Sequence, residues 1–407
     1  MPLSGFKAAP NGNEKKYSDK VDVIAGPEYS AGSFKRFLVG DHYRNDWITD
    51  IEVPYLDLDT TFGGLTVLKR GGGRQTKSLK FMGANGIRYT FRSVNKDPVK
   101  ALDFSLRKTV VADIVRDQTS TQHPYGAMAA DILLNELDIM HAHPKLYKLP
   151  DDTKLGPFQF DFGNMLGMLE ENPTNPKNGE VGYKGSSEIF RSHKLFRKLY
   201  NDHNNKVDTK NFAIARSFDI LVGDWGKHDD NWKWVGYKIG NKTIFKPMPR
   251  DRGHVFSRWD GLLPWIADRE WAKESGEDFN HEISGLRSLM FQARHLDRFI
   301  AADLSEQDWL DAAYFVQESI TDEVIEKAVR NMPEETYELS GSIIEGKLKS
   351  RIKDLDKYVQ EYYEMIASEV DVVGSNKSEY FNIGRNANGS VDVNVYNVLG
   401  QKVSILY

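Results

Sequence analysis

The sequence predicts an α+β fold in two lobes: a β-rich N-lobe, a mainly helical C-lobe, and a short β-like extension at the C-terminal end. Three observations predict it. Short alternating runs divided by glycine turns fill residues 65–94. Apolar residues at three- and four-residue steps dominate 283–366, and a stretch rich in Asn, Gly and Pro at 174–186 separates the two regimes. The implied boundaries are a leading segment at 1–60, the N-lobe at 61–173, the C-lobe at 174–372 and the tail at 373–407.

Composition sets the frame. Of 407 residues, 40% are hydrophobic and 28% charged, the balance of a folded chain rather than a disordered one. The net charge of -5 arises from 54 basic and 59 acidic side chains mixed along the chain, so no basic stripe argues for nucleic acid. The absence of cysteine excludes disulfides, thiolate metal sites and thiol nucleophiles. No apolar h-region follows Met1, so no signal peptide is expected, and no apolar run approaches the ~18 residues of a helical membrane span. A soluble chain is expected, periplasmic or cell-surface if it is cut from a longer bacterial protein. The strand-like ending Val403-Ser404-Ile405-Leu406-Tyr407 points to such a parent.

Residues 1–30 are polar and read as a loose arm. Strands are expected at 65–69, 78–82 and 87–94, with Gly71-Gly72-Gly73 and Gly83-Ala84-Asn85-Gly86 as the breaks between them. Met128, Ile132, Leu133 and Leu137 mark one face of a helix at 124–137, and 158–169 reads as another strand or two. A helix at 212–221 precedes a hairpin, 231–237 with 242–246. From Ile344 to Ile366 an apolar stripe reads as core packing. The tail carries strands at 380–383 and 391–398.

Chemistry concentrates at Gly223-Asp224-Trp225-Gly226-Lys227-His228-Asp229-Asp230-Asn231, with Asp251-Arg252-Gly253 after the hairpin. Asp224 follows an apolar helix end, where a base that accepts a hydroxyl proton belongs. Asn231 opens a strand and Asp251 follows the returning one, so both offer oxygens to one Mg²⁺ at ~2.0–2.1 Å. Upstream, Gly71, Gly72 and Gly73 allow backbone N–H groups to approach phosphates, and Arg74, Gln75 and Thr76 add donors. Without a ligand, the same triplet is simply a tight turn. Arg92 on the third strand, with Lys96 behind it, is the candidate clamp for the α- and β-phosphates. Its carboxylate partner is not identifiable among Asp117, Asp131 and Glu136.

Asp161-Phe162-Gly163 spells a kinase metal triplet but precedes the Asp224–Asn231 loop, so it reads as a decoy. Of the eight tryptophans, six lie between Trp225 and Trp271, where most are expected as core or wall residues around the site, with Trp259 and Trp265 as candidates for stacking. The adjacent His228-Asp229 pair raises a rival, an HD-type metal-dependent phosphohydrolase. That class carries the pair on a helix in an all-α domain, whereas Asn231-Trp232-Lys233-Trp234-Val235 alternates like a strand.

At these residues the chain resembles the atypical kinases that include the spore-coat kinase CotH and the HipA kinases. Their catalytic loop runs roughly Asn/Gly-x-Asp-x-His-x-x-Asn, followed by a hairpin and a second Asp, matched by Gly223-Asp224, His228, Asn231 and Asp251. Pro249 to Phe256 is also similar to the CotH metal segment. The wider chain, from Tyr29 to about Val373, resembles a module of large Bacteroidetes surface-associated proteins.

The resemblance implies a protein-kinase-like fold, ATP with Mg²⁺ or Mn²⁺ as cofactors, and transfer to a hydroxyl acceptor on a protein or small molecule. Two departures stand out. Asp224 and Asn231 are seven residues apart rather than five, so an ungapped match on His228 and Asn231 puts Gly226 at the base position. The strand cation is Arg rather than Lys. These departures fit either a divergent kinase or a pseudokinase-like ligand-binding module.

Overall fold

The computed structural model describes residues 20–72, 75–177, 182–262, 277–387 and 389–403. It has the expected α+β order, with β-sheet in the N-terminal region and helices dominating the C-terminal part.

The loose arm expected over 1–30 does not extend that far. Strand β1 (Lys20–Ile24) pairs antiparallel with β2 (Asp50–Pro54). Val21 and Val23 pack beside Ile51 and Val53 on the main core, an alternation that the surrounding charges mask in the sequence.

The N-terminal sheet consists of β3 (Leu65–Gly71), β4 (Ser78–Gly83), β5 (Arg88–Ser93), β6 (Lys145–Lys148) and β7 (Leu166–Glu171). Its strand order is β3-β4-β5-β7-β6, antiparallel throughout. Side chains alternate across it. Tyr89, Phe91 and Leu169 face a small core with Leu79, Phe81 and Phe162. Thr90, Arg92, Met168 and Glu170 therefore share the other face, with Thr90 opposite Glu170 and Arg92 opposite Met168.

Strand structure over 158–169 holds only for its second part. Gln159–Phe162 is one helical turn, and β7 starts at Leu166 after Asn164 at φ +63. The positive φ breaks the extended run before β7.

The C-terminal part holds a four-stranded sheet of β8 (Glu188–Arg191), β9 (Asn205–Val207), β10 (Trp232–Ile239) and β11 (Lys242–Pro249), in the order β8-β10-β11-β9. The β10–β11 hairpin is the expected one, turning at Gly240 with φ +62. Helix Thr209–Val222 runs through the main core beside helices Glu306–Ser319 and Leu355–Ala367.

The apolar stripe from Ile344 to Ile366 is buried as expected, although it spans two helices, Ser342–Lys353 and Leu355–Ala367, that break at Asp354. The tail folds as a three-stranded antiparallel sheet of β12 (Glu379–Arg385), β13 (Val391–Asn397) and β14 (Lys402–Val403). Among the described residues, no helix is long and apolar enough to cross a membrane.

Candidate active site

Helix Thr209–Val222 carries buried side chains around its circumference, so its C-terminal end falls inside the molecule. Gly223 closes it at φ +67, where a Cβ would lie 3.0 Å from the Arg351 guanidinium. The turn sends Asp224 inward, and its side chain is fully buried. A carboxylate without partners would be costly there. This one has two: Oδ2 lies 2.8 Å from Lys227 Nζ and 2.9 Å from Arg252 Nη1. Burial pushes the Asp224 carboxyl up, but Lys227 and Arg252 outweigh it and hold the group below the usual carboxylate range. Oδ1 is buried without a hydrogen-bond partner.

The ionic chain continues inward. Arg252 also pairs with Asp219, Asp219 with Arg216, and Arg216 Nε lies 2.9 Å from Asp297.

Lys227 ties the loop to the hairpin, since its ammonium donates to the carbonyls of Arg250 at 2.8 Å and Asp251 at 2.6 Å. Asn231 sits one residue before the first β10–β11 pair, Trp232 opposite Pro249. Its side-chain N–H₂ donates to the Gly226 carbonyl at 2.8 Å, and its own carbonyl accepts from Arg250 N–H at 2.8 Å. The amide oxygen is thereby set by the orientation of its nitrogen. Asp251 follows with φ +59, a left-handed backbone that is uncommon for a non-glycine residue.

Asp251 turns toward the N-terminal sheet. Its Oδ2 lies 3.6 Å from Arg92 Nη1, and Arg92 Nε lies 3.0 Å from Glu170 Oε2. Thr76, Arg92, Lys96, Glu170, Asp251 and Gly253 line one cleft between the sheet and the hairpin end, with Trp47 and Gln122 on the far wall. Lys96 Nζ donates to Gln122 Oε1 at 2.9 Å, and a Cβ on Gly253 would lie 2.3 Å from that ammonium. Burial pushes the Asp251 carboxyl up, yet Arg92, Lys96, Lys227 and His254 together hold it well below the ordinary range. An ionised Asp251 beside two cations and a hydroxyl fits a triphosphate with its divalent metal: the cations suit the phosphates, and the carboxylate suits a hard cation.

The other expected residues are dispersed. Gly71 ends β3 opposite Ser78, and Gly72 turns the chain at φ +78, while Gly73 and Arg74 lie outside the described residues. Thr76 reaches the main cleft. Gln75 instead lines a neighbouring cleft with Lys77 and Asn95, and its carbonyl accepts from Asp97 N–H at 2.8 Å. Asp161 pairs with Arg70 at 2.8 Å, consistent with its reading as a decoy. Trp232 and Trp234 are core, Trp259 packs near Trp225, and Trp265 and Trp271 lie outside the described residues. His228 caps the single turn Asp229–Asn231 rather than riding a helix, so the HD-type arrangement is not formed.

The partner of Arg92, expected on a helix, lies on the adjacent strand. Asp117 is taken by Lys35 and Arg44, Asp131 faces two histidines, and Glu136 is exposed. Glu170 serves instead, and strand alternation from Met168 was the available signal. Lys227, Arg252 and His254 were also missed. A Cβ at Gly226 would lie 2.2 Å from the His254 ring, so that imidazole occupies the space a side chain at 226 would need. The sequence gives no sign of this contact.

No family model matches the chain, and no curated protein matches it. Among solved structures, it is similar to the proinflammatory kinase CtkA of Helicobacter pylori at 11% identity, over 71% of this chain and 95% of that one, with a TM-score of 0.36. It is also similar to a chain of the HipA, HipB and operator DNA complex of the Shewanella oneidensis MR-1 toxin–antitoxin system, at 9% identity over 75% and 68%, with a TM-score of 0.37.

Proposed function

We propose that the chain is an ATP- and Mg²⁺-dependent phosphotransferase acting on a hydroxyl acceptor, with lobes at about 61–173 and 174–372 meeting at the cleft. The observation that carries this reading is the convergence of Arg92, Lys96 and Thr76 from the sheet on Asp251 from the hairpin end. In this role Arg92 and Lys96 bind and orient the phosphates, while Gly71–Gly73, Gln75 and Thr76 cover them. Asn231 and Asp251 hold the metal (Mg²⁺, with Mn²⁺ as substitute), which neutralises charge on the transferring phosphoryl group. Asp224 is the loop carboxylate assigned to orient the acceptor or take its proton; its Oδ1 has no hydrogen-bond partner but is buried, so the acceptor reaches it only if the loop opens. Positioning and charge neutralisation supply nearly all of the catalysis in such chemistry.

A second reading has its own observation. Asp224 is sealed between Lys227 and Arg252, and Gly226 is covered by His254, the arrangement of a protein that binds nucleotide without transferring phosphate. Incubation with γ-labelled ATP and Mg²⁺ separates the two. Label on protein or released phosphate, lost in Asp251→Ala, supports transfer. Binding without either product supports the pseudokinase-like module.

A further inference from the structure

Behind the cleft, helix Gly126–Glu136 presents Asp131 to two histidines from the segment that leads into β6. Both imidazoles converge on one carboxylate oxygen: His141 Nε2 lies 2.8 Å and His143 Nδ1 3.1 Å from Asp131 Oδ1. The rings are 4.1 Å apart at 51°. Two left-handed residues bend the segment to bring this about, Asp138 at φ +49 and His143 at φ +45, neither of them glycine.

The other nitrogen of His141 is already engaged. Nδ1 lies 2.6 Å from the Ile139 carbonyl, an acceptor, so it carries the proton. That hydrogen bond fixes the tautomer in which Nε2 offers a lone pair, the arrangement that orients a metal-ligating histidine. His141 is almost fully buried, and with a neutral ring its lone pair faces a carboxylate oxygen, a contact that needs a proton or a cation between the two atoms. A divalent cation satisfies both atoms and also the second imidazole. Tetrahedral bonds of ~2.0–2.1 Å place donor atoms roughly 3.3 Å apart, and the separations here are close to that.

We propose that Asp131, His141 and His143 form a site for a divalent transition-metal ion of the zinc class, with water completing the coordination. Two imidazoles and one carboxylate favour such an ion over Mg²⁺, which takes oxygen donors. The site clamps helix Gly126–Glu136 to the start of β6, and Asp131 and His141 line one cleft with Glu170 and Asp251. It does not depend on the phosphotransferase reading.

The test uses the untagged full chain, stripped with chelator and titrated with Co²⁺ and then Zn²⁺. One equivalent of Co²⁺ should give the visible absorption of a four-coordinate ion, displaced by one equivalent of Zn²⁺. His143 is the most exposed of the three ligands, and His143→Ala should weaken Zn²⁺ binding at least ~10-fold, whereas His193→Ala, at an exposed histidine on helix Ser192–Asn201, should leave it unchanged. If circular dichroism shows His143→Ala to be unfolded, His143→Gln supplies the same comparison. The proposal is overturned if the wild type shows no saturable absorption. It is also overturned if His143→Ala titrates like wild type, or if His193→Ala loses the signal.

Discussion

Arg92 and Glu170 stand on neighbouring strands with guanidinium Nε and carboxylate Oε2 3.0 Å apart, and Arg250 approaches the same carboxylate at 3.3 Å. One acid thus holds two cations at the wall of the cleft. Glu170 lifts the Arg92 guanidinium above its ordinary range, so Arg92 stays charged and is positioned before any anion arrives. Glu170→Gln should leave two guanidiniums facing each other and cost about 3 kcal/mol. Urea unfolding checks this, and an unchanged midpoint would mean that solvent already screens the pair.

Asp224 has a structural duty that must be separated from any catalytic one. Asp224→Asn leaves Lys227 buried without its carboxylate and Arg252 with Asp219 alone, which should cost about 3 kcal/mol. Asp251 faces the cleft and is partly exposed, so Asp251→Asn should change stability far less. Denaturant unfolding of the two variants side by side tests the contrast, and equal losses would contradict it.

The contact between Gly226 and His254 yields a double-mutant cycle. Gly226→Ala places a Cβ against the imidazole and should cost about 1–3 kcal/mol. In a His254→Ala background most of that cost should vanish, giving a clear coupling energy. Additive effects would show that the ring simply moves aside.

His254 also predicts a pH dependence. Burial, aided by the nearby Lys96 charge, lowers its pKa to about 4, and Nδ1 is buried without a hydrogen-bond partner. The unfolded chain protonates it near the ordinary value of ~6.5. Between these values the unfolded state binds the extra proton, so stability should fall as pH drops from about 6.5 toward about 4. Unfolding midpoints across that window should slope less in His254→Gln, and parallel slopes would assign the dependence to other groups.

Local signals carried much of the fold in the sequence. Glycine turns placed β3, β4 and β5, and the Gly240 turn placed the β10–β11 hairpin, because each rests on neighbouring residues. The order of Asp224, Asn231 and Asp251 was legible for the same reason. What was not legible comes from long-range packing. The pairing of Arg92 with Glu170 needs the register of β5 on β7, two strands that helices and β6 separate in the sequence. The sealing of Asp224 by Arg252 and the filling of Gly226's space by His254 depend on a loop folding back over a helix end. No spacing rule encodes either contact.

In the proposed function, the cleft between Arg92 and Asp251 binds nucleotide through a metal. A thermal-shift titration with ATP, with and without Mg²⁺, on wild type and Asp251→Ala tests it most directly. A ligand that binds only the native state adds about 2.7 kcal/mol at a hundredfold excess over Kd, enough to raise the midpoint by several degrees. The midpoint should rise with ATP only when Mg²⁺ is present, and the rise should disappear in Asp251→Ala. A folded wild-type protein whose midpoint stays fixed with every nucleotide and metal would contradict it.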